Sequence, residues 1–235
     1  SQAIEYFGKI KQLYQRIDKV LGDILARYSD DLVIVMSDHG FANFKRQFNL
    51  NSWLRDNGYI QPADCSSLFR DVDWSMTKAY GLGINGLYLN MKGRERDGIV
   101  EASQREEVIV ELISKLESVR DTNGRRVIRK VHRSDKAYRG QATELAPDLI
   151  IGYCRDYRAS WGTCLGGMSE EILQDNDSAW AADHCADVSE VPGVLFCNKP
   201  LGAEGPALVD LAPTILTEFG VGIPSSMEGR NLFAT

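Results

Sequence analysis

The chain has 235 residues, 43% hydrophobic and 26% charged, a balance that excludes collagen-like, low-complexity and disordered classes. Its 27 Lys and Arg against 33 Asp and Glu give a formal net charge of -6, so no overall positive field attracts a polyanion and general nucleic-acid binding is disfavoured. The longest apolar run, Leu32 to Met36, is far short of the roughly 20 residues needed to cross a bilayer, so no membrane span is expected. Five cysteines, Cys65, Cys154, Cys164, Cys185 and Cys197, form no CxxC pair and read as buried reduced thiols rather than a disulfide framework or zinc ribbon. The chain opens at Ser1 directly in helix-forming sequence, with no charged and apolar leader, and so reads as a piece of a longer protein. The acidic surface and reduced thiols lean towards the cytoplasm.

Apolar residues from Ile4 through Tyr28 recur at three- and four-residue steps, which predicts a long amphipathic helix over Gln2 to Tyr28. Leu32 to Met36 predicts a central strand covered on both faces. Asn51 to Asn57 reads as a short helix closed by Gly58, and Gly86 to Met91 alternates as a strand. Ser103 and Glu106 form a capping-box pattern ahead of the stripe Val108, Ile109, Leu112, Ile113, Leu116 and Val119. Asp148 to Gly152 and Val191 to Cys197 are further strand-length apolar runs. A last helix is expected over Leu208 to Phe219, ended by Gly220. Long helices alternating with short apolar strands predict an α/β fold with a mostly parallel sheet flanked by helices. The whole chain, 1–235, reads as one α/β domain, with irregular insertions near 64–78 and 155–182.

Ser37-Asp38-His39-Gly40 follows the first strand candidate, where α/β proteins place ligands. A carboxylate and an imidazole are good donors for zinc or a similar divalent ion, and Gly40 lets the chain bend so that both reach one ion. The alternative is a turn cap with a surface histidine. Asp183-His184 repeats the step. With three histidines in the chain, two after an aspartate, a centre gathered from several strand ends gains weight. Asp183 is read either as a ligand or as an outer carboxylate that orients an imidazole, and Cys185 as a packed thiol. His132 lies in the basic stretch Gly124 to Arg133, read as a solvated edge strand. Arg158 and Trp161 are candidates for gripping a phosphate and an apolar or aromatic group, against a structural ion pair and a buried indole. Gly81-Leu82-Gly83-Ile84-Asn85-Gly86 fits GxGxxG but is followed by strand-like rather than helical sequence, so a dinucleotide site is set aside.

Ser37-Asp38-His39-Gly40-Phe41, Asp183-His184 before Val191-Pro192-Gly193, Val209-Asp210-Leu211-Ala212-Pro213-Thr214 and Glu228-Gly229-Arg230 together resemble the alkaline phosphatase superfamily. Phe48 to Leu54, Leu87 to Asn90 with Gly93-Arg94-Glu95, and Ala146 to Ile150 resemble its type I phosphodiesterase and nucleotide pyrophosphatase branch of phosphohydrolases and phosphomutases. The resemblance runs through nearly the whole chain in order. It implies an alkaline-phosphatase-like α/β/α sandwich, a small phosphoester substrate and two divalent ions, zinc first, with manganese or magnesium as alternatives. By motif, Asp38 and His39 would bind one ion and His184 the other; Asp183 and Arg158 keep the roles read from the residues themselves, an outer carboxylate and a candidate substrate contact.

The family's nucleophile and its other early ligands have no matching residues here. The resemblance therefore implies the C-terminal portion of a larger phosphohydrolase that needs its N-terminal portion, with little turnover from this chain alone. The expected activity is metal-dependent hydrolysis of phosphomonoesters or phosphodiesters. The alternatives are a phosphomutase, a non-catalytic binding or scaffold fragment, and sulfatase-type chemistry.

Overall fold

The computed structural model describes residues 2–62, 69–202 and 204–233, with the side chains of 2–5 left aside; Cys65 lies outside the described residues. In chain order the elements are α1 (Gln2–Arg27), β1 (Ile34–Met36), β2 (Ala42–Phe48), α2 (Leu50–Asp56), β3 (Ala79–Gly81), β4 (Gly86–Leu89) and α3 (Arg105–Ser118). There follow β5 (Ile128–Arg133), α4 (Ser134–Ala137), β6 (Leu149–Tyr153), β7 (Asp156–Ala159), α5 (Trp161–Cys164), β8 (Leu173–Asp175), β9 (Ala182–Asp183), β10 (Leu195–Cys197) and α6 (Leu211–Glu218). They fall into two compact units, one made of Ser1–Asp38 with Gly193–Thr235 and the other of His39–Pro192.

In the first unit α1 forms where the periodicity placed it, but its apolar stripe is on the surface. Phe7, Ile10, Leu13, Tyr14, Ile17 and Val20 are each more than half exposed. Periodicity reports that a face is apolar and says nothing about what covers it. The same reason corrects the first strand, because β1 is not a central parallel strand. Among the described residues it pairs only with β10, antiparallel, with Ile34 opposite Cys197 and Met36 opposite Leu195. The run from Val191 to Cys197 yields a strand only from Leu195, since Pro192 has no N–H to donate. Ser37 extends the ladder, its N–H donating to the Val194 carbonyl and its hydroxyl accepting from the Val194 N–H, both at 3.0 Å. The last helix begins as a 3-10 turn over Leu208–Asp210 and runs on as α6. Gly220 follows it with φ at 67°.

The second unit contains two sheets. The first has the order β3-β4-β6-β5. Its β3 and β4 are joined across Leu82 to Asn85, with Gly83 and Asn85 at φ of 69° and 61°. The GxGxxG stretch is thus a hairpin turn, as its strand-like sequel required. Chain β4-α3-β5 is a crossover, and β6 lies between β4 and β5, antiparallel to both. Ile109, Leu112 and Leu116 of α3 are fully buried against this sheet, so the predicted stripe holds. The capping box does not. Gln104 is the N-cap, with its Oε1 accepting the Glu101 N–H at 3.2 Å, while Glu106 pairs with Arg133. As an end strand, β5 matches the edge reading of the basic stretch.

The second sheet runs β7-β2-β8, with β9 also on β2. The β2–β7 ladder is parallel, and the other ladders between these strands are antiparallel. The α/β class therefore holds while the expected mostly parallel pairing does not, because short turns and inserted strands return the chain beside itself. The stretch 155–182, expected to be irregular, supplies β7, α5, β8 and part of β9; strands of two to four residues are too short to show a period. The described part of 64–78 carries a 3-10 turn over Phe69–Asp71. Leu50 and Leu54 of α2 share one buried core with Ala79, Leu87, Leu89 and Leu149. Asn51 locks α2 to β3 by accepting the Gly81 N–H at 2.7 Å and donating to the Gly81 carbonyl at 2.9 Å.

Candidate metal centre

Pairing of β9 with β2 builds the site. Ala42 stands opposite Asp183 and Asn43 opposite Ala182, so the residues entering β2 lie beside the residue leaving β9. His39 and His184 stack there, ring centroids 4.1 Å apart and planes 17° from parallel. Phe41 meets both edge-on, at 5.5 Å from His39 and 6.1 Å from His184. His39 Nδ1 is 2.9 Å from the Gly40 carbonyl. A carbonyl can only accept, so Nδ1 carries a proton, which in the neutral ring leaves Nε2 as the lone-pair nitrogen, the tautomer of many metal-bound imidazoles.

Asp183 is buried behind His184. Its Oδ1 accepts the backbone N–H groups of His184 at 2.6 Å and Cys185 at 2.9 Å, and lies 3.5 Å from His184 Nδ1. Its Oδ2 accepts from Trp180 Nε1 at 3.4 Å and lies 2.9 Å from Arg158 Nη1. Burial raises the pKa of this carboxyl, yet the bonds from Cys185, the charge of Arg158 and the His184 N–H outweigh it and hold it below the usual carboxylate range. Donors surround both oxygens, so of the two sequence roles the outer carboxylate fits this geometry.

Arg158 is 1% exposed, its guanidinium 5.0 Å from the Phe44 ring and 4.2 Å from the Trp161 ring. Its contact with Asp183 is an ion pair rather than an aligned hydrogen bond, and its nitrogens are buried. Of the two sequence readings, the structural ion pair describes Arg158, while the indole of Trp161 is 54% exposed instead of buried. Donor atoms of Asp183, His184 and Cys185 lie within 4.8 Å of one another, a spacing open to an ion. Burial first, and then Asp183, push the Cys185 thiol up to about 12, so holding an ion there would cost the thiol its proton.

Asp38 ends the first of the two stretches that make up the first unit. With Ser37, Gly193 and Leu211 it lines a cavity of about 260 Å³ inside that unit. Cys154, Cys164, Cys185 and Cys197 are free thiols, but the burial expected from the sequence holds for Cys185 alone among them, the other three being half-buried. No helix among the described residues is long and apolar enough to cross a membrane. Sequence reasoning missed the place of His132, whose Nε2 lies 2.7 Å from Asp187 Oδ2. The one signal available was a histidine among arginines and lysines on an edge strand.

Two imidazoles held face to face at the ends of paired strands define an α/β protein with a candidate divalent-metal centre. The chain belongs to the type I phosphodiesterase / nucleotide pyrophosphatase family of the alkaline phosphatase superfamily, whose model matches residues 5–160. That match takes in Asp38, His39 and Arg158 and ends before Asp183 and His184. The chain is also similar to a 2,3-bisphosphoglycerate-independent phosphoglycerate mutase of Clostridium tetani (strain Massachusetts / E88). The two are 37% identical over 90 residues, covering 29% of this chain and 17% of that relative.

Proposed function

We propose that this chain supplies part of a two-ion centre for hydrolysis of phosphomonoesters or phosphodiesters. The observation that carries the reading is the stack of His39 on His184, 4.1 Å apart and 17° from parallel. Imidazole lone pairs lie in the ring plane, so stacked rings aim their donors side by side rather than at a point between them. This suits two neighbouring ions, which in such centres lie about 3.5–4 Å apart, better than one shared ion. His39 would hold one ion and His184 the other. Asp38 joins the ion of His39 on its motif alone. Imidazole and carboxylate donors favour zinc, with manganese or magnesium as alternatives. Bound ions would polarise the attacking oxygen and neutralise the leaving one. Asp183 orients His184, and Arg158 holds Asp183, a role that takes the place of the direct substrate contact expected from sequence.

Calorimetric titration with zinc tests this reading. Saturable binding in the wild type, lost in the His39→Ala, His184→Ala double variant, is the expected result. Equal binding by both proteins, or none by either, overturns it and raises the scaffold alternative. A phosphomutase is the second reading, favoured by the similarity to the phosphoglycerate mutase. In a longer protein that joins this chain to the N-terminal portion carrying the nucleophile, release of inorganic phosphate from nitrophenyl phosphate, against return of the phosphoryl group to an acceptor alcohol, separates the two.

A further inference from the structure

The span that carries His184 is anchored at both ends, and its second anchor is a carboxylate–imidazole pair outside the site just described. Beyond His184 the chain turns back onto the sheet of β5 and β6. There the Asp187 N–H donates to the Tyr153 carbonyl at 2.9 Å, and the buried Asp187 Oδ2 accepts from His132 Nε2 at 2.7 Å. Asp187 Oδ1 accepts from the Ser189 N–H at 3.0 Å and the Ser189 hydroxyl at 2.6 Å, which closes the 3-10 turn Val188–Glu190. The seat fits this carboxylate closely, since a Cβ placed on Gly152 would stand 2.2 Å from Asp187 Oδ2. At the other end Asp183 is held by β2 and Arg158. His184, Cys185 and Ala186 are all that lies between the two buried carboxylates.

We propose that His132 is a positioning residue of the metal centre. By holding Asp187 it fixes the short span that carries His184, and with it the stacking of His184 on His39. A cation that only guards an edge strand stays in solvent, whereas His132 reaches inward to a buried acceptor. The functional meaning of the proposal rests on reading His184 as an ion ligand. The geometry it describes does not.

The test uses the full chain in chelator, with nuclear magnetic resonance of its imidazole rings. The chain has three histidines, so replacing His132 leaves His39 and His184, assigned with a His39→Ala variant. In His132→Ala the His184 ring signals are expected to move towards their random-coil positions as the ring current of His39 is lost. In His132→Gln, whose amide N–H can still donate to Asp187, they stay near wild type. Methyl signals of buried Ile109 and Leu112 report whether each variant is folded. Zinc affinity falls about tenfold in His132→Ala, as loss of outer partners of metal ligands typically produces, and recovers in His132→Gln. Unmoved His184 signals in a folded His132→Ala overturn the proposal. If His132→Ala does not fold, His132→Phe keeps the ring bulk without the donor and is read in the same way. Shifted His184 signals in a chain whose wild type binds no zinc uphold the positioning and reject the metal reading.

Discussion

Buried at the entry to α6, Asp210 accepts the Ala207 N–H at 2.9 Å and the Arg230 N–H at 3.0 Å, tying the helix start to the segment beyond it. Those two backbone bonds, Arg230 first, hold its carboxyl below the ordinary range. A carboxyl whose folded pKa is depressed contributes stability that is present above its unfolded value, about 3.9. That contribution is lost as the pH falls through the folded value. An Asp210→Asn variant keeps one acceptor oxygen for two donors and is expected to lose about 1–3 kcal/mol at pH 7. Urea unfolding at pH 7 and near pH 3 checks this: the deficit against wild type should shrink at the acid end. An equal deficit at both pH values would assign the loss to packing instead. The histidine pair belongs to the same scale. Its residues were legible as two Asp-His steps, but their stacking was not, because it depends on a two-residue pairing of β9 with β2 that leaves no periodic trace.

Long helices were legible from their period, but strand length was no guide, since the seven-residue β2 went unread while the four-residue β4 was expected. The two longest helices, α1 and α3, and the buried strand β6 announce themselves by several turns or pleats of repeated pattern. Strands β7, β8 and β9 have four, three and two residues and were hidden in a segment without period. Partners were harder to read than elements, since a stripe is written in the sequence while its cover is not. The exposed stripe of α1 carries its own expectation, because contiguous apolar surface of this kind associates or binds apolar probes. Wild-type chain should enhance the fluorescence of an anilinonaphthalene dye and sediment with a concentration-dependent mass. Replacing Ile10 and Ile17 by Glu, a good helix former, should reduce both several-fold with helicity unchanged. Undiminished dye binding would place the apolar surface elsewhere.

At the scale of the molecule, the first unit is assembled from both stretches of the chain that flank the second. During synthesis His39–Pro192 is complete before any of Gly193–Thr235 exists, so the contiguous unit can fold while the interrupted one waits for its other half. The ends of the contiguous unit also meet. The Gly40 N–H donates to the Val191 carbonyl at 2.9 Å, and a Cβ on Gly40 would lie 2.7 Å from the Pro192 carbonyl oxygen. Expressed alone, residues 39–192 should therefore unfold cooperatively in urea, with near-ultraviolet circular dichroism like that of the parent; a broad, non-cooperative transition would count against it. Closely spaced termini make a segment portable, able to be lifted from one host and set into another. This unit is a cassette that carries His39, Asp183 and His184 and leaves Asp38 behind, so a cut at its boundary would separate the two imidazoles from the carboxylate that precedes His39.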